Sequence, residues 1–283
     1  CLLDSTRLHG GVGSMQADFA ARVGQSIGVP AIYVGGVGAN GSNHAWVMWV
    51  EIQSATPSSI QFSLESSGRY RIDNYYVGNF RDPQTGKGIT DRETELRLQT
   101  VGANYLAKRQ ADLVMRFFPR LRDQAELDAK AQLFFLRDLV NLCPGNEAAW
   151  QTMAGLVRDG QLGKTDSRTL TAMVERMFST FKNVPDFTLT VFEDMIAFVD
   201  EGQLRNALYE RLMDMYAAAK RPDLACAARL KLTDVLLAQD QPEAAVEGLA
   251  ATIKRFPGEG NYIPRMLDRI EQVCSNIEGS EPL

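Results

Sequence analysis

Histidine is almost missing from this chain: His9 and His44 are the only two in 283 residues. Cysteine is nearly as sparse, with Cys1, Cys143, Cys226 and Cys274 far apart and no CxxC pair among them. A structural zinc site needs about four clustered Cys/His ligands, so none can be assembled locally, and haem or iron–sulfur ligation is equally hard to build. The sequence therefore calls for no cofactor and no metal, and the three cysteines beyond Cys1 read as buried free thiols. Blocks of Lys/Arg are missing too. With 30 basic against 35 acidic residues and a net charge of −5, nucleic acid is not an expected partner. Nor is there a long apolar run. The longest, over residues 45–50, falls far short of the ~20 residues that cross a bilayer as a helix.

What is present is ordinary for a globular protein, at 45% hydrophobic and 23% charged residues. The length leaves room for roughly two domains of ~150 residues. The chain opens on Cys1 in the middle of a motif, which predicts a fragment or a processed piece whose targeting signal would lie upstream.

Composition shifts near residue 90. Residues 1–89 hold more than half of the 23 glycines, both histidines and two of the three tryptophans. There Ser14 reads as the cap of a helix with Phe19, Ala20, Val23 and Ile27 on its apolar face. Gly28 supplies a left-handed end and Pro30 forbids continuation. Ala31-Ile32-Tyr33-Val34 and residues 45–50 read as strands. Ile60, Phe62 and Leu64 alternate with Gln61, Ser63 and Glu65 as a third strand, and 70–76 offers a fourth. A helix followed by antiparallel strands is an α+β pattern. The polar loop 82–88 marks the boundary, so residues 1–89 form one domain and 90–283 another.

Thr90-Asp91-Arg92-Glu93 then reads as a capping box. Beyond it the chain is rich in Leu, Ala and Met at helical spacing. Breaks at Pro119, Pro144-Gly145, Asp159-Gly160, Pro185, Gly202, Pro222, Pro242 and Pro257 predict eight or nine helices. The breaks recur about every 20 residues, which suggests stacked helical hairpins that bury their apolar faces only against neighbours. Leu232, Leu236, Ala245, Leu249 and Pro257, with a weaker echo at Trp150, Met153 and Ala154, fall at spacings that resemble a tetratricopeptide repeat. Tyr216 and Ala225 fit the same pattern in a different register.

Two nucleotide-like motifs fail in context. Gly36-Val37-Gly38-Ala39-Asn40-Gly41 matches GxGxxG but leads into a strand, where a dinucleotide site needs a helix N-terminus for the pyrophosphate. Gly163-Lys164-Thr165 lacks the glycine five residues earlier.

The informative stretch is Gly10-Gly11-Val12-Gly13-Ser14, then Gly28-Val29-Pro30-Ala31, then His44-Ala45-Trp46. It resembles the transglutaminase-like superfamily, with its papain-like Cys-His-Asp core, over about residues 7–76. The resemblance implies a papain/transglutaminase-like α+β domain ahead of the all-α, tetratricopeptide-like array. In such a site a helix N-terminus and a neighbouring imidazole favour a thiolate, and a carboxylate on the next strand orients the ring. His44 takes the place of the general base. Glu65 takes the place of the orienting carboxylate, with Asp73 as the competitor. Gly13, however, occupies the nucleophile position, and Ser14 is one residue late, about 100° around a helix. The expected protein is thus a degenerate, non-catalytic binding or scaffolding protein. Its cleft would recognise peptide-like or glycan-like chains, and its array would dock a partner protein. The alternative is an active cysteine peptidase or amidase whose nucleophile sequence order hides, with Cys1 as the candidate.

Overall fold

The computed structural model describes residues 10–38, 41–67, 77–83, 85–162, 167–197, 199 and 202–278. It is an α+β protein in which, among the described residues, an antiparallel five-stranded sheet precedes ten α-helices. Two compact units make up the chain, 1–108 and 109–283.

The first unit opens with α1 (Gly13–Ser26). Its N-cap is Val12, which makes no side-chain capping bond, so Ser14 lies inside the helix and is not the expected cap. The C-terminus closes as a Schellman turn. Gly28 has φ +82, Val29 N–H donates to Gly24 O at 2.9 Å and Gly28 N–H to Gln25 O at 3.1 Å. The buried face is Ala17 and Ala21, whereas Val23 and Ile27 are 40% and 74% exposed. Small residues face inward because α1 lies close against the sheet. A Cβ on Gly24 would stand 2.8 Å from the Ala31 Cβ, so larger side chains would hold the two layers apart.

The sheet comprises β1 (Ala31–Val37), β2 (Asn43–Ala55), β3 (Ile60–Ser67), β4 (Gly78–Arg81) and β5 (Gly88–Thr90), in the order β3-β2-β1-β4-β5. Val34, Trp46 and Met48 form its core with Ile32, Leu64 and Phe80 packed around them. The β4–β5 hairpin was not legible as strands. The stretch 82–88, expected as an interdomain loop, contains its turn, closed by Asp82 N–H donating to Lys87 O at 2.8 Å. The expected strand at 70–76 lies outside the described residues.

Next comes α2 (Asp91–Ala103), which carries the expected capping box: Glu93 N–H donates to Thr90 Oγ1, and the Glu93 carboxylate accepts from Thr90 N–H. This helix packs on β3, β4 and β5, so the sheet unit extends past the compositional boundary at 89/90. Helical periodicity identified α2 correctly but carries no information about which neighbour it buries against.

The second unit contains most of α3 (Tyr105–Gln124), then α4 (Ala129–Leu142), α5 (Glu147–Arg158), α6 (Ser167–Phe181), α7 (Thr188–Met195), α8 (Gly202–Ala218), α9 (Pro222–Ala238), α10 (Pro242–Arg255) and α11 (Ile263–Glu278). Pro119, expected to break the chain, lies inside α3. A proline removes one helical hydrogen bond and kinks the axis. Here Ala107, Ala111 and Phe118, all N-terminal to Pro119, are buried. No strand occurs among the described residues of 91–278.

The same joint links α8 to α9 and α9 to α10. Arg221 N–H donates to Tyr216 O and Gln241 N–H to Leu236 O, with Lys220 and Asp240 left-handed at φ 57 and 56. Proline then occupies the first turn of each following helix. Side chains in that region cost about 1 kcal/mol relative to glycine. Lys220→Gly and Asp240→Gly should therefore each raise the unfolding free energy by roughly 0.5–1 kcal/mol in urea titrations. A loss of stability would show that the αL strain is absent.

Contacts across this unit repeat as well. Arg211–Glu175, Arg221–Asp186 and Arg269–Asp234 join residues 36, 35 and 35 apart, linking a helix or loop to one about two helices away. Leu232, Leu236, Ala245, Leu249, Trp150, Met153, Ala154, Tyr216 and Ala225 are all buried.

Candidate active-site cleft

Gly13 opens α1, and His44 stands in β2 opposite Gly36 of β1. The structure brings the two together. A Cβ built on Gly13 would lie 3.2 Å from His44 Cε1, 3.6 Å from its Nδ1 and 3.9 Å from the Ala45 carbonyl oxygen. At this helix start the Val12 carbonyl accepts from both Met15 and Gln16 N–H, leaving the first amides of the turn without intrahelical acceptors. An imidazole thus meets a helix N-terminus at a position with no side chain.

Trp46, two residues on in β2, shares a face with His44. It is buried and stacks with His44 at a centroid separation of 6.3 Å. Its indole lies across Gly36 and Gly78, where an added Cβ would come within 2.5 Å and 2.7 Å of ring carbons. Asp91, at the first turn of α2, accepts from Gly78 N–H at 2.9 Å and anchors β4 beside the indole. Asp91 carries no sequence signal beyond the capping box, because its burial depends on the sheet. Gly78→Ala forces Val34, the indole or β4 to shift, an overpacking cost of about 1–3 kcal/mol, readable as a lowered urea midpoint; unchanged stability would mean that this packing has slack.

Glu65 does not meet His44. In β3 it pairs with Trp49, and paired residues share a face. His44 is five residues upstream in β2, roughly 16 Å along the strand at ~3.3 Å per residue, and of opposite parity. No bulge intervenes, since the register shift falls between Ile52 and Ser54. The expected pairing of Glu65 with His44 is therefore corrected. Counting alternation within β3 gave Glu65 a face but could not give it a register against β2. Asp73, Cys1, His9 and the Arg69-to-Tyr76 stretch lie outside the described residues. Trp49 is half-buried, and its Nε1–H donates to Glu51 Oε1 at 2.7 Å.

Of the other thiols, Cys143 and Cys226 are buried and Cys274 is half-buried. Burial, helped by the negative charges of Glu259 and Asp223, pushes the Cys226 thiol up to about 12. It is a thiol, not a thiolate, at neutral pH, and so no nucleophile. In native protein at pH 7.5, alkylation is expected at Cys274 well before Cys226; fast labelling of Cys226 would mean that α9 opens.

Among the described residues no group of three or more His, Cys, Asp or Glu side chains could hold a metal ion. No described helix is long and apolar enough to cross a membrane. No family model, curated protein or solved structure matches the chain.

Proposed function

We propose that the first unit is a degenerate transglutaminase-like domain and that the protein binds or scaffolds and does not catalyse. The observation that supports this is the approach of Gly13 to His44. A residue at the start of a helix, with ordinary φ and against an imidazole, is where such a site carries its thiol. Gly13 leaves no group to form an acyl-enzyme, so the acyl-transfer mechanism has no first step. The surface around Gly13 and His44 would then recognise extended peptide-like or glycan-like chains.

The second unit supports the other half of the reading. A helix-hairpin array with joints repeated at 20-residue spacing and ion pairs 35–36 residues apart suits a tetratricopeptide-like stack. Such stacks present extended faces, and we assign this one to a protein partner.

The test is an amide-hydrolysis assay with the native chain on glutamine-containing peptides, measuring released ammonia and newly formed amino termini. The expected result is no turnover above a His44→Ala control. Turnover abolished by His44→Ala and by a thiol alkylator would overturn the reading in favour of an active cysteine peptidase or amidase.

A further inference from the structure

A cavity of about 310 Å³ lies in the second unit, where α4, α5 and α6 converge. Its floor is apolar: Val140 of α4, Trp150 and Met153 of α5, and Met173 of α6. Trp150 presents only ring carbon there, because its Nε1–H already donates to the Pro144 carbonyl at 2.8 Å. The rim is cationic, with Arg137 from α4 and Arg168 and Arg176 from α6, and no described lining residue is acidic.

Elsewhere in the unit many arginines are paired, although Arg205 bonds backbone carbonyls and Arg265 lies over Tyr262. Arg158, Arg211, Arg221, Arg229, Arg255 and Arg269 each reach a carboxylate on another helix or loop. Arg137 and Arg176 have no carboxylate partner among the described residues. Arg137 is instead held over the Phe134 ring, its guanidinium carbon 5.6 Å from the centroid. Three arginines lining one apolar-floored cavity suit an anionic ligand there.

We propose that this cavity binds a small amphipathic monocarboxylate, its head on Arg137 and Arg176 and its apolar body on Trp150, Met153 and Met173. The volume sits at the lower end of the ~300–1,000 Å³ range of small-molecule sites, which suits one unbranched chain or one ring system. A floor of Val, Met and Trp carbon offers no partner to the polar edges of a nucleotide base. The site is independent of the Gly13–His44 groove and stands or falls without it.

The experiment is calorimetric titration of the full chain with octanoate as probe, with 1-octanol and acetate as controls. Octanoate should bind saturably at one site, and removing either the charge or the chain should weaken binding by roughly tenfold or more. Arg176→Gln should cost octanoate a similar factor, while Arg176→Lys, which keeps the charge, costs less. Ala172→Glu sets a carboxylate on the exposed rim and should abolish octanoate binding while leaving helicity unchanged. Octanol binding as tightly as octanoate, or octanoate binding indifferent to both Arg176→Gln and Ala172→Glu, would overturn the proposal. So would the absence of saturable binding.

Discussion

Gly13→Cys is expected to create a thiol whose alkylation rate rises with pH about a midpoint well below the ~8.5 of a free cysteine. The backbone allows the change, since Gly13 is not in the left-handed region. The new Cβ falls 3.2 Å from His44 Cε1, so the ring must yield by a few tenths of an ångström. The sulfur then sits at the first turn of α1, where free amides and the helix dipole favour negative charge. The neighbouring imidazole adds to the effect. The measurement is iodoacetamide labelling against pH, in a background with Cys1 and Cys274 replaced by serine. Adding His44→Ala should return the midpoint toward ~8.5. Glu65→Gln should not move it, because Glu65 faces away from His44 across β2. The linkage runs in the same sense. A thiol with depressed pKa stabilises the folded state above its unfolded value, and that gain is lost as pH falls through the folded value. A midpoint near ~8.5 regardless of His44 would show that the groove has no thiolate-stabilising geometry, and the transglutaminase-like reading would then lose its support.

Arg221→Leu should destabilise the helical unit by about 3–5 kcal/mol, because it breaks a buried ion network by removing the shared cation. The Arg221 side chain is 4% exposed and binds both Asp186 and Asp223. Burial by itself lowers its pKa, but the hydrogen bonds and charges of Asp223 and Asp186 outweigh this and raise it. Asp186 Oδ2 is itself buried without a hydrogen-bond partner, so Asp186 depends on Arg221 for compensation. Close by, the Tyr216 and Thr188 hydroxyls share a 2.9 Å hydrogen bond, and burial raises the tyrosine's pKa. Urea unfolding followed by circular dichroism at 222 nm should show the loss. Adding Asp186→Asn to Arg221→Leu should recover part of it, since one buried charge is then no longer orphaned. A loss below about 1 kcal/mol would class the network with exposed pairs, which contribute little.

The groove and the cavity were legible to different degrees. Gly13 and His44 could be paired from sequence only through the transglutaminase-like resemblance; local signals placed the helix and the strand but not their contact. Glu65 was misplaced because alternation in β3 leaves the register with β2 open, and one residue of slip reverses a face. The cavity on α4, α5 and α6 left no trace in the sequence. Arg137 lies on a different helix from Arg168 and Arg176, and no local period marks the three as neighbours of Trp150.

What the chain determined by itself was local. Glycine and proline punctuation, the Thr90–Glu93 box and the 20-residue recurrence of breaks specify where most helices and the first three strands run, since each rests on backbone geometry within a few residues. Tertiary structure decided everything that depends on a partner. It turned Ala17 and Ala21 inward in α1 where the larger Val23 and Ile27 were expected, because the sheet lies close. It drew α2 to the sheet and kept Pro119 within α3. It set Glu65 against Trp49 and gathered three arginines over Trp150. Those choices are made by contacts between residues far apart in sequence, whose free energies depend on which surfaces meet, and no local period encodes that.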